Sequence, residues 1–259
     1  MAKPIIIAGP CSAESDEQMD IAFEEAAKRH VDFVRCNLYK PRDIPAFDGL
    51  GEKGAHLLGK AARAGLNPAL EVMLPEHVDM AMDAALPHLS EDGKLLVWIG
   101  ARNQNHIIQD EIARRTAKDP RVWLMVKNQP WVAERHWAGI LTWVLDAGMP
   151  PERVLNCYRG YTPSYGDKNP EGFRNLVNFE EAMRVKENSG LPMLFDPSHT
   201  GGTVENVFKM AEMSAAYDFD GMIIELHHDP AHAYTDAKQQ LTWPQFDELL
   251  AKMQTARKA

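Results

Sequence analysis

The chain has 259 residues, 45% of them apolar and 25% charged, which describes a globular protein rather than a disordered or fibrous one. No apolar run reaches the about 18 residues of a membrane span, and the apolar start at residues 4–7 is too short for a signal peptide. A formal net charge of −9 argues against a general nucleic-acid binder. Cys11, Cys36 and Cys157 form no Cys-x-x-Cys spacing and cannot all pair, so we expect a reducing cytoplasm.

Eight short apolar runs recur along the chain and are typical of strands buried on both faces. In chain order they are residues 4–8, 33–37, 69–73, 95–99, 122–126, 154–157, 193–195 and 222–226. Amphipathic segments at residues 16–28, 76–89, 131–147, 173–188, 203–217 and 243–253 predict helices. Strand–helix alternation of this kind predicts a single-domain (β/α)8 TIM barrel over residues 1–259, with its active site at the carboxyl ends of the strands. A doubly wound open sheet is the alternative, but Ala8-Gly9-Pro10-Cys11-Ser12 is not its glycine-rich phosphate turn.

Polar or charged side chains end or follow all eight predicted strands, and a barrel would gather them at one mouth. Residues of the types that bind metal ions form one set: Cys11, His199, Glu225 and Asp236. Cations form the other: Arg35, Lys40, Arg42, Arg102, Lys127 and Arg159. Taken alone, a strand-end cysteine is more often a small buried residue, and a single cation more often a solvated loop charge. Buried cations without carboxylate partners are costly, so the cluster predicts a phosphate- or carboxylate-bearing substrate.

Five ordered motifs carry a family resemblance that extends from Ile5 to about Leu241. They are Gly9-Pro10-Cys11-Ser12-Ala13-Glu14, Lys40-Pro41-Arg42, Gly100-Ala101-Arg102, Asp196-Pro197-Ser198-His199, and Glu225 followed by Asp236. The chain thereby resembles the type I beta 3-deoxy-D-arabino-heptulosonate 7-phosphate (DAHP) synthases, a group that includes 3-deoxy-D-manno-octulosonate 8-phosphate synthases. Val126-Lys127-Asn128 and Tyr158-Arg159-Gly160-Tyr161 are similar to a subgroup fused to a C-terminal chorismate mutase. With Ala259 as the last residue, we expect either a free-standing synthase or a domain cut from such a fusion.

The resemblance implies that phosphoenolpyruvate (PEP) condenses with erythrose 4-phosphate, the first step of the shikimate pathway to aromatic amino acids. It implies that Cys11, His199, Glu225 and Asp236 bind a divalent metal ion. Mn²⁺ is the first choice and Fe²⁺, Co²⁺ or Zn²⁺ are alternatives, because a thiolate is too soft a ligand for Mg²⁺. By the same resemblance Lys40, Cys11 and His199 are the catalytic residues, with Lys40 as candidate proton donor. The resemblance also implies that Arg102, Lys127 and Arg159 bind the phosphate and carboxylate of PEP, with Arg35 and Lys40 beside them. It implies that Lys40-Pro41-Arg42 binds the phosphate of the aldose.

One position departs from the family pattern, because Asp43 stands where the threonine of Lys-Pro-Arg-Thr usually donates to the acceptor phosphate. An ionised aspartate cannot donate and repels phosphate, so a five-carbon aldose phosphate remains an alternative acceptor. The octulosonate synthases carry a Lys-Ala-Asn-Arg type of segment, which is absent here and leaves the heptulosonate interpretation favoured. A catalytically weak barrel that partners a chorismate mutase, and a Schiff-base aldolase using Lys127, are further alternatives. The family also implies a homo-oligomer.

Overall fold

The structure is a computed structural model that describes residues 3–40 and 46–256, and at its centre eight parallel strands close into a barrel in sequential order. The strands are β1 (Ile5–Gly9), β2 (Phe33–Arg35), β3 (Pro68–Val72), β4 (Leu95–Ile99), β5 (Val122–Lys127), β6 (Val154–Tyr158), β7 (Met193–Phe195) and β8 (Gly221–Glu225). Each lies within one or two residues of an apolar run predicted from the sequence. The predicted (β/α)8 barrel is therefore confirmed, and the open-sheet alternative is wrong.

Nine α-helices lie in the described ranges, and they surround the barrel. They are α1 (Asp16–Lys28), α2 (His56–Arg63), α3 (Pro75–Ala85), α4 (His106–Ala117), α5 (Glu134–Asp146), α6 (Phe179–Ser189), α7 (Pro197–Gly201), α8 (Val204–Ser214) and α9 (Trp243–Ala256). Side-chain caps begin several of them, as where Ser15 accepts from the Gln18 backbone N–H and Thr203 accepts from Asn206. None of these helices is long and apolar enough to cross a membrane.

Helix α6 begins at Phe179, six residues after the start predicted from the sequence at residue 173. The physical reason is a cap, since the Asn178 side chain accepts from the Glu181 backbone N–H and starts the helix there. The preceding residues are not helical, and Leu176 pairs with Tyr161 in an antiparallel bridge. The predicted helix at residues 131–147 likewise starts late, at Glu134.

Alternate residues of each strand face the barrel interior and the helical shell, which explains why the strand sequences are nearly all apolar. The interior cluster includes Ile7, Leu96, Trp98, Met125 and Ile223, all fully buried. Outward-facing strand residues join a second, larger cluster formed with the helices. The interior is thus a packed core below the mouth, and polar side chains begin where this core ends.

Candidate active site

The last strand pairs with the first, and this pairing brings residues from the two ends of the sequence together at the mouth. Gly9 is in register with Glu225, so the segment after β1 lies beside the end of β8. Gly9 has φ +144°, and a Cβ there would lie 2.9 Å from the Arg35 carbonyl oxygen, so only glycine permits this approach. Two residues further on, the buried Cys11 is held by its backbone N–H, which donates to Gln240 Oε1 at 3.0 Å.

Three of the four predicted metal ligands converge at this point. The ligand atoms of Cys11, Glu225 and Asp236 all lie within 4.8 Å of one another. Asp236 has the left-handed backbone angle φ 43°, which aspartate tolerates better than most residues and which is common at functional sites. The segment between β8 and α9 is therefore shaped to present this carboxylate towards Cys11, whose Sγ lies 3.5 Å from Asp236 Oδ2.

The fourth predicted ligand, His199, lies beside this group of three rather than within it. It is on α7, which Asp196 caps by accepting from the His199 backbone N–H. His199 Nε2 lies 3.6 Å from Glu225 Oε1, and Nδ1 lies 2.9 Å from Asp196 Oδ2. A proton on Nδ1 would face Asp196 and leave the Nε2 lone pair for a metal ion. Burial lowers the pKa of His199 to about 4, so its imidazole is neutral at pH 7, as a metal ligand must be.

The donor set fits a divalent transition metal. One thiol, one neutral imidazole and two carboxylates combine soft and hard ligands, a mixture suited to Mn²⁺, Fe²⁺, Co²⁺ or Zn²⁺ and poorly suited to Mg²⁺. Burial and the neighbouring Glu225 carboxylate raise the pKa of the Cys11 thiol to about 12, so the thiolate requires a cation beside it. The chain therefore contains a possible metal centre formed by Cys11, Glu225 and Asp236, with His199 adjacent.

Lys40 contacts the same group from the segment after β2. Its Nζ donates to Cys11 Sγ at 2.8 Å and to Asp236 Oδ2 at 2.7 Å. Burial alone would favour the neutral amine, but the nearby Cys11, Glu225 and Asp236 outweigh burial and raise the pKa of Lys40. Lys40 is therefore an ammonium ion within hydrogen-bond distance of two of the possible metal ligands.

A cavity next to these residues contains most of the predicted anion-binding set. It is lined by Lys40, Glu71, Gly100, Ala101, Arg102, Lys127, Arg159 and His199. Trp98, fully buried, lies beneath, with the Arg35 guanidinium 5.3 Å and the Lys127 ammonium 5.6 Å from its ring centroid. The indole face gives these cations an apolar floor and a favourable cation–π contact.

The expectation that the cations lack carboxylate partners is wrong for three of them. Arg35 donates to Glu225, Lys40 to Asp236, and Lys127 to Asp196, each at 2.7–2.9 Å. Burial of these cations is costly, and a carboxylate within the fold compensates much of that cost. Arg35 retains a buried Nη1 with no hydrogen-bond partner in the described parts of the chain. Arg42 and Asp43 lie outside the described residues.

Arg159 differs from Arg35, Lys40 and Lys127, because its guanidinium makes no ion pair with any residue in the described ranges. It is only 6% exposed. Burial, reinforced by the positive charges of Arg174 and Arg102, lowers the pKa of Arg159 to about 10. Asp196 attracts both cations, but it forms a direct ion pair only with Lys127, so an anionic ligand in the cavity would relieve more unfavourable charge at Arg159 than at Lys127.

Asp196 and Gln239 are residues of this site that sequence reasoning missed. Asp196 is 0% exposed, and its carboxylate contacts both Lys127 and His199. Burial favours the protonated carboxyl, but His199 and Lys127 outweigh burial and hold the pKa of Asp196 well below its ordinary value. Gln239, 2% exposed, donates to Glu225 Oε2 at 2.6 Å. Asp196 was within a recognised motif, directly after a strand, and could have been singled out. For Gln239, the one signal in the sequence is that it lies three residues after the predicted ligand Asp236.

Comparison with known proteins places the whole chain in one group. The model of the DAHP synthetase I family matches residues 2–259. A curated relative from Thermotoga maritima, a phospho-2-dehydro-3-deoxyheptonate aldolase, is 29% identical over 255 residues, which cover 96% of this chain and 68% of the relative. A 2-dehydro-3-deoxyphosphooctonate aldolase from Methylibium petroleiphilum is 24% identical over 271 residues, covering 96% of this chain and 88% of that protein.

Solved structures agree with the sequence comparisons. The crystal structure of the phospho-2-dehydro-3-deoxyheptonate aldolase (DAHP synthase) from Thermotoga maritima superposes with a TM-score of 0.83 at 28% identity, covering 99% of this chain and 70% of that one. A truncated form of the 3-deoxy-D-arabino-heptulosonate 7-phosphate synthase from the same organism gives a TM-score of 0.81 at 26% identity, covering 99% and 87%. The truncated form corresponds more closely in length to this chain.

Proposed function

The chain belongs to the DAHP synthetase I family, and from this premise we propose that it condenses PEP with erythrose 4-phosphate to give DAHP and phosphate, the first step of the shikimate pathway. As an enzyme of this family it joins PEP to a sugar phosphate. The four-carbon acceptor and the roles of individual residues are the parts that we propose. The observation that supports them best is the cavity in which Lys40, Arg102, Lys127 and Arg159 lie beside the possible metal ligands.

In this proposal Arg102, Lys127 and Arg159 bind the phosphate and carboxylate of PEP. A guanidinium matches either group with two parallel hydrogen bonds, and an ammonium adds a compact charge. Because Lys127 is fixed by Asp196 and lies over Trp98, it would hold the substrate in one position. Such positioning lowers the barrier to a reaction between two bound substrates. Arg35 Nη1, which is buried without a hydrogen-bond partner in the described parts of the chain, would add a further donor.

Cys11, His199, Glu225 and Asp236 would hold the metal ion, with Mn²⁺ as the first choice. When bound, such an ion acts as a Lewis acid that polarises the carbonyl oxygen of the aldehyde. Arg35 and Gln239, which donate to Glu225, would keep that carboxylate ionised and oriented towards the ion. Burial raises the pKa of a carboxyl group, but His199, Arg35 and Lys40 outweigh this effect and lower the pKa of Glu225 to about 2.

Lys40 would supply the proton of the carbon–carbon bond-forming step. C3 of PEP attacks the aldehyde carbon, the carbonyl electron pair moves to oxygen, and this oxygen takes the proton from Lys40 Nζ. Water then adds to C2 and loses a proton, which leaves a hydroxyl and the phosphate ester on the same carbon. Phosphate leaves with the electron pair of its C2–O bond while the hydroxyl loses its proton and becomes the C2 carbonyl, and one of the two protons released returns to Lys40. Lys40 is well placed for the first proton because it lies 2.8 Å from Cys11 Sγ, next to where the acceptor oxygen would be.

The acceptor is tested by steady-state phosphate release from PEP with two aldose phosphates. We expect the Mn²⁺-loaded protein to turn over faster with erythrose 4-phosphate than with arabinose 5-phosphate. Relatives named 2-dehydro-3-deoxyphosphooctonate aldolases make the five-carbon acceptor the second candidate. Higher kcat/KM with arabinose 5-phosphate would replace the first proposal by the second. Lack of phosphate release with either acceptor would instead support a catalytically weak barrel that partners a chorismate mutase.

Two statements about partners are also proposals. We propose a homo-oligomer, as the family resemblance implies. We also propose a chorismate mutase domain or separate partner, because residues 126–128 and 158–161 resemble the fused subgroup. Sedimentation equilibrium measures the first. Co-elution with, and altered turnover in the presence of, a chorismate mutase encoded by the same genome would support the second, and independent migration with unchanged kinetics would contradict it.

Replacing Arg159 with glutamine is expected to weaken PEP binding selectively. The variant loses the charge-assisted hydrogen bonds of the guanidinium, and we expect KM for PEP to rise about 10- to 100-fold. KM for the aldose phosphate should change little. Arg184, an exposed arginine paired with Glu134, provides the control, since Arg184→Gln should leave both constants at parental values. An increase confined to the aldose phosphate KM would mean that Arg159 binds the other substrate.

A further inference from the structure

Beyond the four proposed ligands, two residues from distant segments contact the metal-site carboxylates. Gln239 lies three residues after Asp236, and Arg174 lies between β6 and α6. Arg174 Nη1 donates to Gln239 Oε1 at 2.6 Å, and Gln239 Nε2 donates to Glu225 Oε2, also at 2.6 Å. The three side chains thus form a continuous chain of hydrogen bonds that ends on a proposed metal ligand.

The direction of this chain follows from the chemistry of its first member. A guanidinium can only donate, so it fixes the oxygen of the Gln239 amide on its own side. The amide nitrogen is then turned towards Glu225, where it must donate to the carboxylate. With the amide reversed, an N–H would face Arg174 and an oxygen would face the Glu225 carboxylate, and both contacts would be repulsive.

Arg174 also contacts the second carboxylate of the site directly. The distance from Arg174 Nη1 to Asp236 Oδ1 is 3.5 Å. The backbone N–H of Arg174 donates to the carbonyl of Gly201 in α7, the helix that carries His199. At the end of α7, Gly202 has φ +76°, and a Cβ there would lie 2.6 Å from Arg174 Cβ. Arg174 is therefore anchored at the end of the helix that carries His199. It also contacts Asp236 directly and reaches Glu225 through Gln239.

We propose that Arg174 and Gln239 are positioning residues for the metal centre, acting as a relay that holds Glu225 and Asp236 in their ligand orientations. Neither residue is a ligand in this proposal, which rests on the proposed metal site. Oxygen Oε1 of Glu225 is held by Arg35 and Oε2 by Gln239, so the carboxylate has donors on both oxygens. Removing the relay would leave Glu225 Oε2 without its Gln239 donor and Asp236 Oδ1 without its Arg174 contact, while Arg35 and Lys40 would still hold the other oxygens. Loss of such partners behind metal ligands typically changes affinity about 10- to 100-fold.

The test measures Mn²⁺ affinity directly, by isothermal titration calorimetry of the metal-depleted protein without substrates. We expect Gln239→Leu and Arg174→Met each to weaken binding about 10- to 100-fold. Because Arg174 acts largely through Gln239, the double variant should be only slightly weaker than Gln239→Leu. Arg174→Lys keeps a charged donor and should recover part of the affinity lost in Arg174→Met.

A matched control separates this effect from loss of a buried amide. Gln129 is 0% exposed, and among the described residues it donates only to the backbone carbonyls of Trp131 and Ala133. Gln129→Leu should therefore lower thermal stability without changing Mn²⁺ affinity. The Co²⁺-loaded variants add a second readout, since a shifted cysteine-to-Co²⁺ absorption band reports altered ligand geometry rather than stability. Parental affinity and an unshifted band in both relay variants would overturn the relay alone. Absence of Mn²⁺ binding in the parent protein would overturn the proposed metal site together with the relay.

Discussion

Replacing Cys11 with serine is expected to reduce both bound metal and turnover by at least about 100-fold. Loss of a residue that only hydrogen-bonds to a metal ligand already lowers metal affinity or activity about 10- to 100-fold, and Cys11 is itself a proposed ligand. The serine hydroxyl is not ionised near neutral pH and cannot replace a thiolate as a soft ligand. The same change removes the sulfur atom that lies 2.8 Å from Lys40 Nζ, so the proposed proton donor loses a contact as well. Metal content by atomic absorption and phosphate release by coupled assay measure the two losses.

Cys36→Ala is the matched control for this experiment. Cys36 is also fully buried, but it belongs to the apolar shell, and burial alone raises the pKa of its thiol. We expect this variant to retain its metal and its turnover at a modest cost in stability. Parental activity of Cys11→Ser after chelation and return of Mn²⁺ would show that the ligand assignment is wrong. Metal-depleted parent protein should recover more activity with Mn²⁺ than with Mg²⁺.

Replacing Lys127 with methionine is expected to impair stability and PEP binding together. Lys127 Nζ and Asp196 Oδ2 are 2.7 Å apart, and the two side chains are 6% and 0% exposed. Removing one partner of such a pair leaves a buried charge uncompensated and costs about 3–5 kcal/mol of unfolding free energy. The midpoint of urea unfolding measures this loss, and calorimetric titration with PEP measures the loss of substrate affinity.

A second substitution separates the two effects. In Lys127→Met/Asp196→Asn the orphaned carboxylate is replaced by a neutral amide, and we expect much of the lost stability to return. PEP affinity should stay low, because the ammonium that binds the substrate is still absent. Recovery of PEP affinity in the double variant would mean that Lys127 acts only by compensating Asp196 and makes no contact with the substrate.

The fold could be predicted almost entirely from the sequence, for a physical reason. Strands buried on both faces are short apolar runs, and β4 was predicted with its observed bounds of Leu95–Ile99. The errors concerned the helices, since α2, α4 and α7 were not predicted and the predicted start of α6 lies upstream of the Asn178 cap. Helical periodicity describes which residues share a face, whereas the start of a helix depends on a single capping hydrogen bond.

The site was predicted less completely than the fold. Residue types at strand ends located Cys11, Lys127 and Glu225 at the same mouth, and the structure brings them there. Pairing between charges was not predictable, because the partner of Lys127 is 69 residues away in sequence. Arg174 was missed for a related reason, since the erroneous early start of α6 placed it on a helix. Its contact with Gln239 spans 65 residues and depends on how two loops meet.

The pairing of β1 with β8 also has a consequence for how the protein matures during synthesis. Cys11 and Asp236 are separated by 225 residues along the chain, and the contact between them requires that the barrel has closed. Most of the polypeptide must therefore leave the ribosome before the possible metal ligands can meet. Until then Cys11 lacks the neighbouring carboxylates with which it forms the possible metal site. Metal uptake would accordingly mark completed barrel closure, and an interrupted chain that lacks the segment after β8 would be expected to fail at this step.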